Sequence, residues 1–130
     1  MSYVKSFQVK GRLINKGEPY ERIIKIIASP NTKKMSAQRF TFGMSIIPAG
    51  GKTEPADTHS HEGIEECVYV VTGKGEAKVG GQIFQIEPET FIMIRPNEPH
   101  QFLNNSDETM KLVWVSVPPG AEKSLIAEPT

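Results

Sequence analysis

A single cysteine, Cys67, cannot form an intrachain disulfide framework. With no such support available, the fold has to rest on an apolar core, which 130 residues are enough to build as one domain. No apolar run reaches the length needed to cross a bilayer. The opening MSYVKSFQVKG lacks the apolar stretch of a signal peptide, so the expected compartment is the cytoplasm and the expected state is soluble. Neither sign of charge is in excess: fifteen Lys and Arg balance fifteen Asp and Glu, with no long run of either. That balance removes the electrostatic footprint of a nucleic-acid or anionic-membrane binder and leaves a small neutral or anionic molecule as the expected partner. No internal repeat or low-complexity tract appears.

Glycine and proline, by contrast, are plentiful. Eleven glycines and ten prolines punctuate short segments rich in Val, Ile, Phe and Thr, which is the pattern of an all-β domain. The spacing predicts strands over Tyr3–Val9, Ile23–Ala28, Arg39–Ile47, Ile64–Thr72, Glu76–Val79, Gln82–Ile86, Thr90–Ile94, Gln101–Asn104 and Met110–Val117. Gly80-Gly81 suits a two-residue hairpin, because both positions of a type I′ turn need positive φ. So many close strands imply a sandwich or a closed barrel. Strand parity places Phe40, Phe42, Met44 and Ile46 on one face, expected to be core, and gives Met110, Leu112 and Trp114 the same reading. The whole of 1–130 reads as one domain, with 1–30 as an N-terminal strand extension and 118–130 as a C-terminal tail. Tyr3–Val9 is apolar enough to need a partner strand, and a second subunit would supply one, so a homodimer is expected.

The three histidines are all confined to the stretch from His59 to His100, among carboxylates and turn residues. In a strand, His59 and His61 would present two imidazoles on the same side. If Glu62-Gly63 closes a tight hairpin, Glu66 falls opposite His59 and joins them, while Glu65 turns to the other face. His100 opens another short strand and can deliver a third imidazole. A lone histidine in a half-buried strand is ordinarily a hydrogen-bonded side chain. Three imidazoles and a carboxylate inside an apolar barrel are costly to bury without a cation. The set suits one divalent transition metal, Zn, Fe, Mn, Ni, Co or Cu, without choosing among them.

These residues resemble the two cupin motifs. Gly51, His59-Ser60-His61, Glu66 and Gly73 resemble G(X)5HXH(X)3-4E(X)6G, and Gly81, His100 and Asn104 resemble G(X)5PXG(X)2H(X)3N. The likeness spans Gly51–Asn104. It departs at Lys52–Thr58, which is longer than five residues, and at Arg95-Pro96-Asn97, where Asn97 can take the left-handed conformation usually given to glycine. The resemblance implies a double-stranded β-helix, a jelly-roll cupin barrel, with His59, His61, Glu66 and His100 as metal ligands.

Four protein ligands leave one or two metal positions open for chemistry. The first expectation is a metal-dependent enzyme of dioxygenase, decarboxylase, isomerase or lyase type acting on a small oxygen-rich substrate. The alternative is a non-catalytic module that binds or senses a sugar or carboxylate. Retention of Glu66 weighs against the thiol dioxygenases of similar fold, which use three histidines alone, and the fold by itself chooses no reaction. No catalytic residue is identifiable. Tyr69, Arg95, Gln38 and Glu65 are candidates for a proton donor or acceptor, although Tyr69 and Cys67 point away from Glu66 by parity. Arg95 could meet an anionic ligand or a surface acid, and Asn104 is expected to secure its turn. Expected pocket walls are Phe42, Met44, Arg95, Phe102 and Trp114.

Overall fold

The computed structural model describes residues 2–54 and 63–126. Among them run nine strands: β1 (Arg12–Ile14), β2 (Arg22–Ala28), β3 (Thr41–Ile47), β4 (Glu65–Thr72), β5 (Gly75–Val79), β6 (Gln82–Ile86), β7 (Phe91–Ile94), β8 (His100–Leu103) and β9 (Met110–Val117). They form a six-stranded sheet in the order β1-β2-β3-β9-β4-β7 and a three-stranded sheet in the order β6-β5-β8, with every ladder antiparallel. The two sheets close over a common core, the jelly-roll barrel expected of so many short strands. No helix among the described residues is long and apolar enough to cross a membrane.

Period-two alternation builds the core. Val68 and Val70 from β4, Ile92 and Ile94 from β7, and Met110 and Leu112 from β9 meet Ala77, Val79 and Phe102 from the smaller sheet, all of them buried. The turn chemistry follows the sequence. Gly80 and Gly81, both at positive φ, join Val79 to its ladder partner Gln82, and Asn97 adopts φ 65° in the turn before His100. Asn104 is buried as a bracket: its amide nitrogen donates to the carbonyls of Ile47, Pro48 and Glu108, and its carbonyl accepts from Ser106.

Two sequence expectations fail here. Tyr3–Val9 is not a strand, because Ser6–Gln8 forms a 3₁₀ turn. Local bonds explain it: Gln8 and Val9 donate to the carbonyls of Lys5 and Ser6, and the Gln8 side chain accepts from the Lys5 N–H. The backbone groups a strand would offer to a neighbour are thus used within the segment, and β1 is the edge strand next to β2.

The second failure concerns β3. Phe40, Phe42, Met44 and Ile46 do share a side, but it is the outside of the sheet; the inward set is Thr41, Gly43, Ser45 and Ile47. The reason lies across the ladder. Gly43 faces Trp114, and a Cβ on Gly43 would lie 2.4 Å from the indole Cζ2, so only glycine lets the ring lie against β3. The indole N–H donates to Ser45 Oγ at 3.0 Å. The inner side of β3 is therefore small and polar by necessity, and hydrophobicity alone points to the wrong side.

Candidate functional site

A cavity of about 240 Å³ opens between the sheets. Its walls come from Ile14 (β1), Arg22 and Ile24 (β2), Ser45 (β3), Glu66 and Val68 (β4), His100 and Phe102 (β8), and Leu112 and Trp114 (β9), with Thr53 and Glu54 on one side and Ala121, Ser124 and Leu125 of the tail on another. Parity accounts for this membership. Glu66 shares the inward side of β4 with Val68 and Val70, while Glu65, Cys67 and Tyr69 turn outward.

Glu66 and His100 face each other in this space, with 4.0 Å between Glu66 Oε2 and His100 Nε2. His100 is 2 % exposed. Its Nδ1 lies 3.1 Å from the carbonyl oxygen of Glu98. A carbonyl only accepts, so a ring making this bond carries a proton on Nδ1 and turns Nε2 toward Glu66. Burial pushes the Glu66 carboxyl up to about 7, and no hydrogen bond from a described residue offsets it. The Glu66 carboxyl oxygen and the His100 ring nitrogen, 4.0 Å apart, are two donors of the kinds a divalent cation takes.

A second ionisable pair on the cavity wall is satisfied internally. Arg22, 3 % exposed, places Nη2 2.5 Å from Glu54 Oε2, and Asn15 donates to Glu54 Oε1 at 2.7 Å. Burial opposes charge on Glu54, but the hydrogen bonds from Arg22 and Asn15 and the guanidinium charge outweigh it and hold the carboxyl at about 2. The segment carrying Glu54 is fastened beside β8: the Phe102 N–H donates to Thr53 Oγ1, and the Gln101 amide donates to the Thr53 carbonyl. Sequence reasoning missed this wall. One signal was there to find, because Arg22 shares strand parity with Ile24 and Ile26 and so had to point inward.

Of the expected ligands, the structure brings Glu66 and His100 together; His59 and His61 lie outside the described residues. No group of three or more potential ligands occurs among the described residues. The hairpin ladder imagined for Glu66 is not available, because Ile94 of β7 and Ser116 of β9 already pair with Glu66 on its two edges. Phe102 and Trp114 line the cavity, whereas Phe42 and Met44 point outward from β3. Arg95 is exposed at the end of β7, where its N–H donates to the Glu98 carboxylate as part of the turn leading to His100, so it is not a cavity wall. Gln38 is exposed and hydrogen-bonded to Ser36.

The cupin domain profile matches residues 43–116, more than half of the chain. The chain belongs to the cupin domain family. The chain is 30 % identical over 97 residues to the uncharacterized protein MJ1618 of Methanocaldococcus jannaschii, covering 75 % of this chain and 74 % of that one. The solved structure of a predicted oxalate decarboxylase from Thermotoga maritima superposes with a TM-score of 0.74 at 18 % identity, over 91 % of this cupin and all of that chain. The polyketide cyclase RemF from Streptomyces resistomycificus superposes with a TM-score of 0.72 at 25 % identity, over 92 % and 82 % of the two chains. These likenesses establish the jelly-roll barrel; the activities named for the two solved structures differ, so the fold chooses neither.

Proposed function

We propose that this cupin is a metal-dependent enzyme whose cavity holds one divalent transition metal ion on His59, His61, Glu66 and His100. The observation that carries the reading is the pairing of Glu66 with the Nε2 of His100 inside a largely apolar cavity. Glu54 and Ile64, which flank positions 55–62, both line cavities that Glu66 also lines. A bound ion would supply Lewis-acid polarisation or oxygen activation. Glu66 and His100 would hold it, and Trp114, Phe102, Leu112 and Ile24 would exclude water around it.

The wall also bears on the substrate. Apolar side chains dominate it, with polar groups at Glu66–His100 and at Arg22–Glu54. A small molecule with oxygen donors at one end and an apolar body fits better than a sugar bearing hydroxyls all round. The reaction type, whether dioxygenase, decarboxylase, isomerase or lyase, is open to assay. One observation favours the second reading, a non-catalytic binding module: the remaining ionisable groups described on the wall, Arg22 and Glu54, are bonded to each other. Turnover of a bound ligand separates the two.

Elemental mass spectrometry of the purified protein tests the site. The expected result is about one equivalent of a transition metal, lost in Glu66→Gln and kept in Glu65→Gln, since Glu65 faces outward. Protein that is metal-free and takes up none when it is added would overturn the proposal.

A further inference from the structure

Most of the cavity wall is held by backbone. Its strand residues sit in antiparallel ladders, and the stretch carrying Thr53 and Glu54 is tied to β8 by the Thr53 N–H on the Phe102 carbonyl at 2.9 Å. The tail that follows β9 is built differently. Ala121, Ser124 and Leu125 line the cavity, yet among the described residues no backbone hydrogen bond joins positions 118–126 to another element. The bond from the Leu125 N–H to the Glu122 carbonyl closes a 3₁₀ turn, Lys123–Leu125, within the tail itself.

One side chain fastens this segment. Pro118 and Pro119 have no N–H with which to extend β9, and Gly120, at φ 132°, takes a conformation that favours glycine. Glu122 is then 2 % exposed, between the exposed Ala121 and Lys123. Its Oε1 accepts from Thr41 Oγ1 at the start of β3 and from the Gly120 N–H, and its Oε2 accepts from the Asn31 amide in the connection between β2 and β3. Asn31 is itself set by its N–H on Ser29 Oγ at 3.0 Å. Stretches far apart in sequence thus converge on one carboxylate, and a segment held this way opens at lower cost than a strand in a ladder.

Leu125 is where the tail meets the ligand space. A second cavity of about 50 Å³ adjoins the first, and Glu66, Trp114, Ala121 and Leu125 line both. Of the two tail residues on this boundary, Leu125 is the large one and is half-buried, so its side chain divides the two spaces. We infer that residues 119–126 form a strap that sets the size of molecule the site accepts, with Leu125 limiting how far an apolar substituent extends past Glu66, and Glu122 as the positioning residue that holds Leu125 there. The ligand class is a small molecule with a short apolar body; a longer one is stopped at Leu125. The inference rests on the cavity as the ligand site and on no metal, so it stands or falls separately from metal content.

Trp114, the sole tryptophan, borders both cavities and reports on the strap. The test is quenching of its fluorescence by acrylamide and by the bulkier succinimide, in full-length protein stripped of metal by a chelator. Glu122→Ala releases the strap, Leu125→Ala leaves the fastening and strips the boundary side chain to a methyl, and Lys123→Ala is the exposed control. Far-UV circular dichroism checks that the barrel, whose ladders exclude the tail, is intact in each. Wild type and Lys123→Ala should favour acrylamide over succinimide more strongly than free N-acetyltryptophanamide does. In Glu122→Ala and Leu125→Ala, quenching by succinimide should rise by about threefold or more, and by more than quenching by acrylamide. Glu122→Gln keeps an acceptor oxygen for Thr41 and Gly120 and should stay near wild type. Wild-type discrimination in either alanine variant at Glu122 or Leu125, an equal rise in Lys123→Ala, or a Glu122→Gln protein as open as Glu122→Ala would each overturn the inference.

Discussion

Two glutamates line one cavity and live in opposite electrostatic worlds. Glu54 takes hydrogen bonds from Arg22 and Asn15 and is held at about 2. Glu66, in the same cavity, is raised to about 7 by burial. Desolvation acts on both, so what separates them is the supply of donors. Among the described residues, Glu54 has hydrogen-bond donors built around it, and Glu66 has the His100 ring beside it. The contrast separates the two acids without appeal to sequence spacing.

The largest expected effect comes from breaking the contrast on the metal side. Glu54→Gln keeps an acceptor for Asn15 and leaves Glu66 and His100 in place, so it should leave metal stoichiometry near the wild-type value. Glu66→Gln or His100→Ala should weaken metal binding by a factor on the order of 10² or more, since each removes a donor outright. Competition titration with a chromophoric chelator reads both. Equal losses for Glu54→Gln and Glu66→Gln would erase the distinction between the two acids.

The next effect is on stability and acts on the satisfied wall. Arg22→Met strands the Glu54 carboxylate without its cation, and the expected loss is about 2–3 kcal/mol, below the range for fully buried pairs because the Glu54 side chain is 27 % exposed. Adding Glu54→Gln should return part of that loss, because the stranded charge is gone. Urea unfolding of the metal-free single and double variants measures the difference. An Arg22→Met protein as stable as wild type would show that the pair contributes nothing and that Glu54 is less constrained than its surroundings imply.

How far the chain could be read before its structure depended on which physical rule governed each part. Eight of the nine anticipated strands stand within a residue or two, because alternation and turn chemistry are local. Gly80-Gly81 and Asn97 turned where positive φ was anticipated. The inward and outward sides of β4 followed from parity, so Glu66 and Glu65 were separated correctly. Apart from Tyr3–Val9, where local bonds make a 3₁₀ turn, the failures are non-local. The face of β3 was inverted because a cavity, unlike a core, asks for Gly43 and Ser45 inside, and that demand originates from Trp114 some seventy positions away. Arg22–Glu54 required knowing that two distant segments share a wall. The Glu66 hairpin failed because both its edges were claimed by β7 and β9.

The smallest effect sharpens the comparison with a third acid. Glu122, in the tail behind the cavity, is also held at about 2, but by neutral donors: burial opposes its charge, and the Asn31 amide at 2.7 Å, Thr41 Oγ1 at 2.8 Å and the Gly120 N–H at 2.7 Å outweigh that. A glutamate whose folded value is depressed stabilises the fold fully above its unfolded value, near 4.5, and loses that contribution as pH falls toward 2. In Glu122→Gln the loss of stability on acidification through this window should be smaller than in wild type by about 1–2 kcal/mol, read from urea midpoints at a series of pH values. The difference should persist in high salt, because neutral donors are not screened, whereas any part of the acid sensitivity removed by Glu54→Gln should shrink as ions screen the Arg22 charge. Superimposable pH profiles for wild type and Glu122→Gln would mean that the tail carboxylate does not hold its charge in the fold, and that a guanidinium, not a set of neutral donors, is what this barrel needs to keep a buried glutamate ionised.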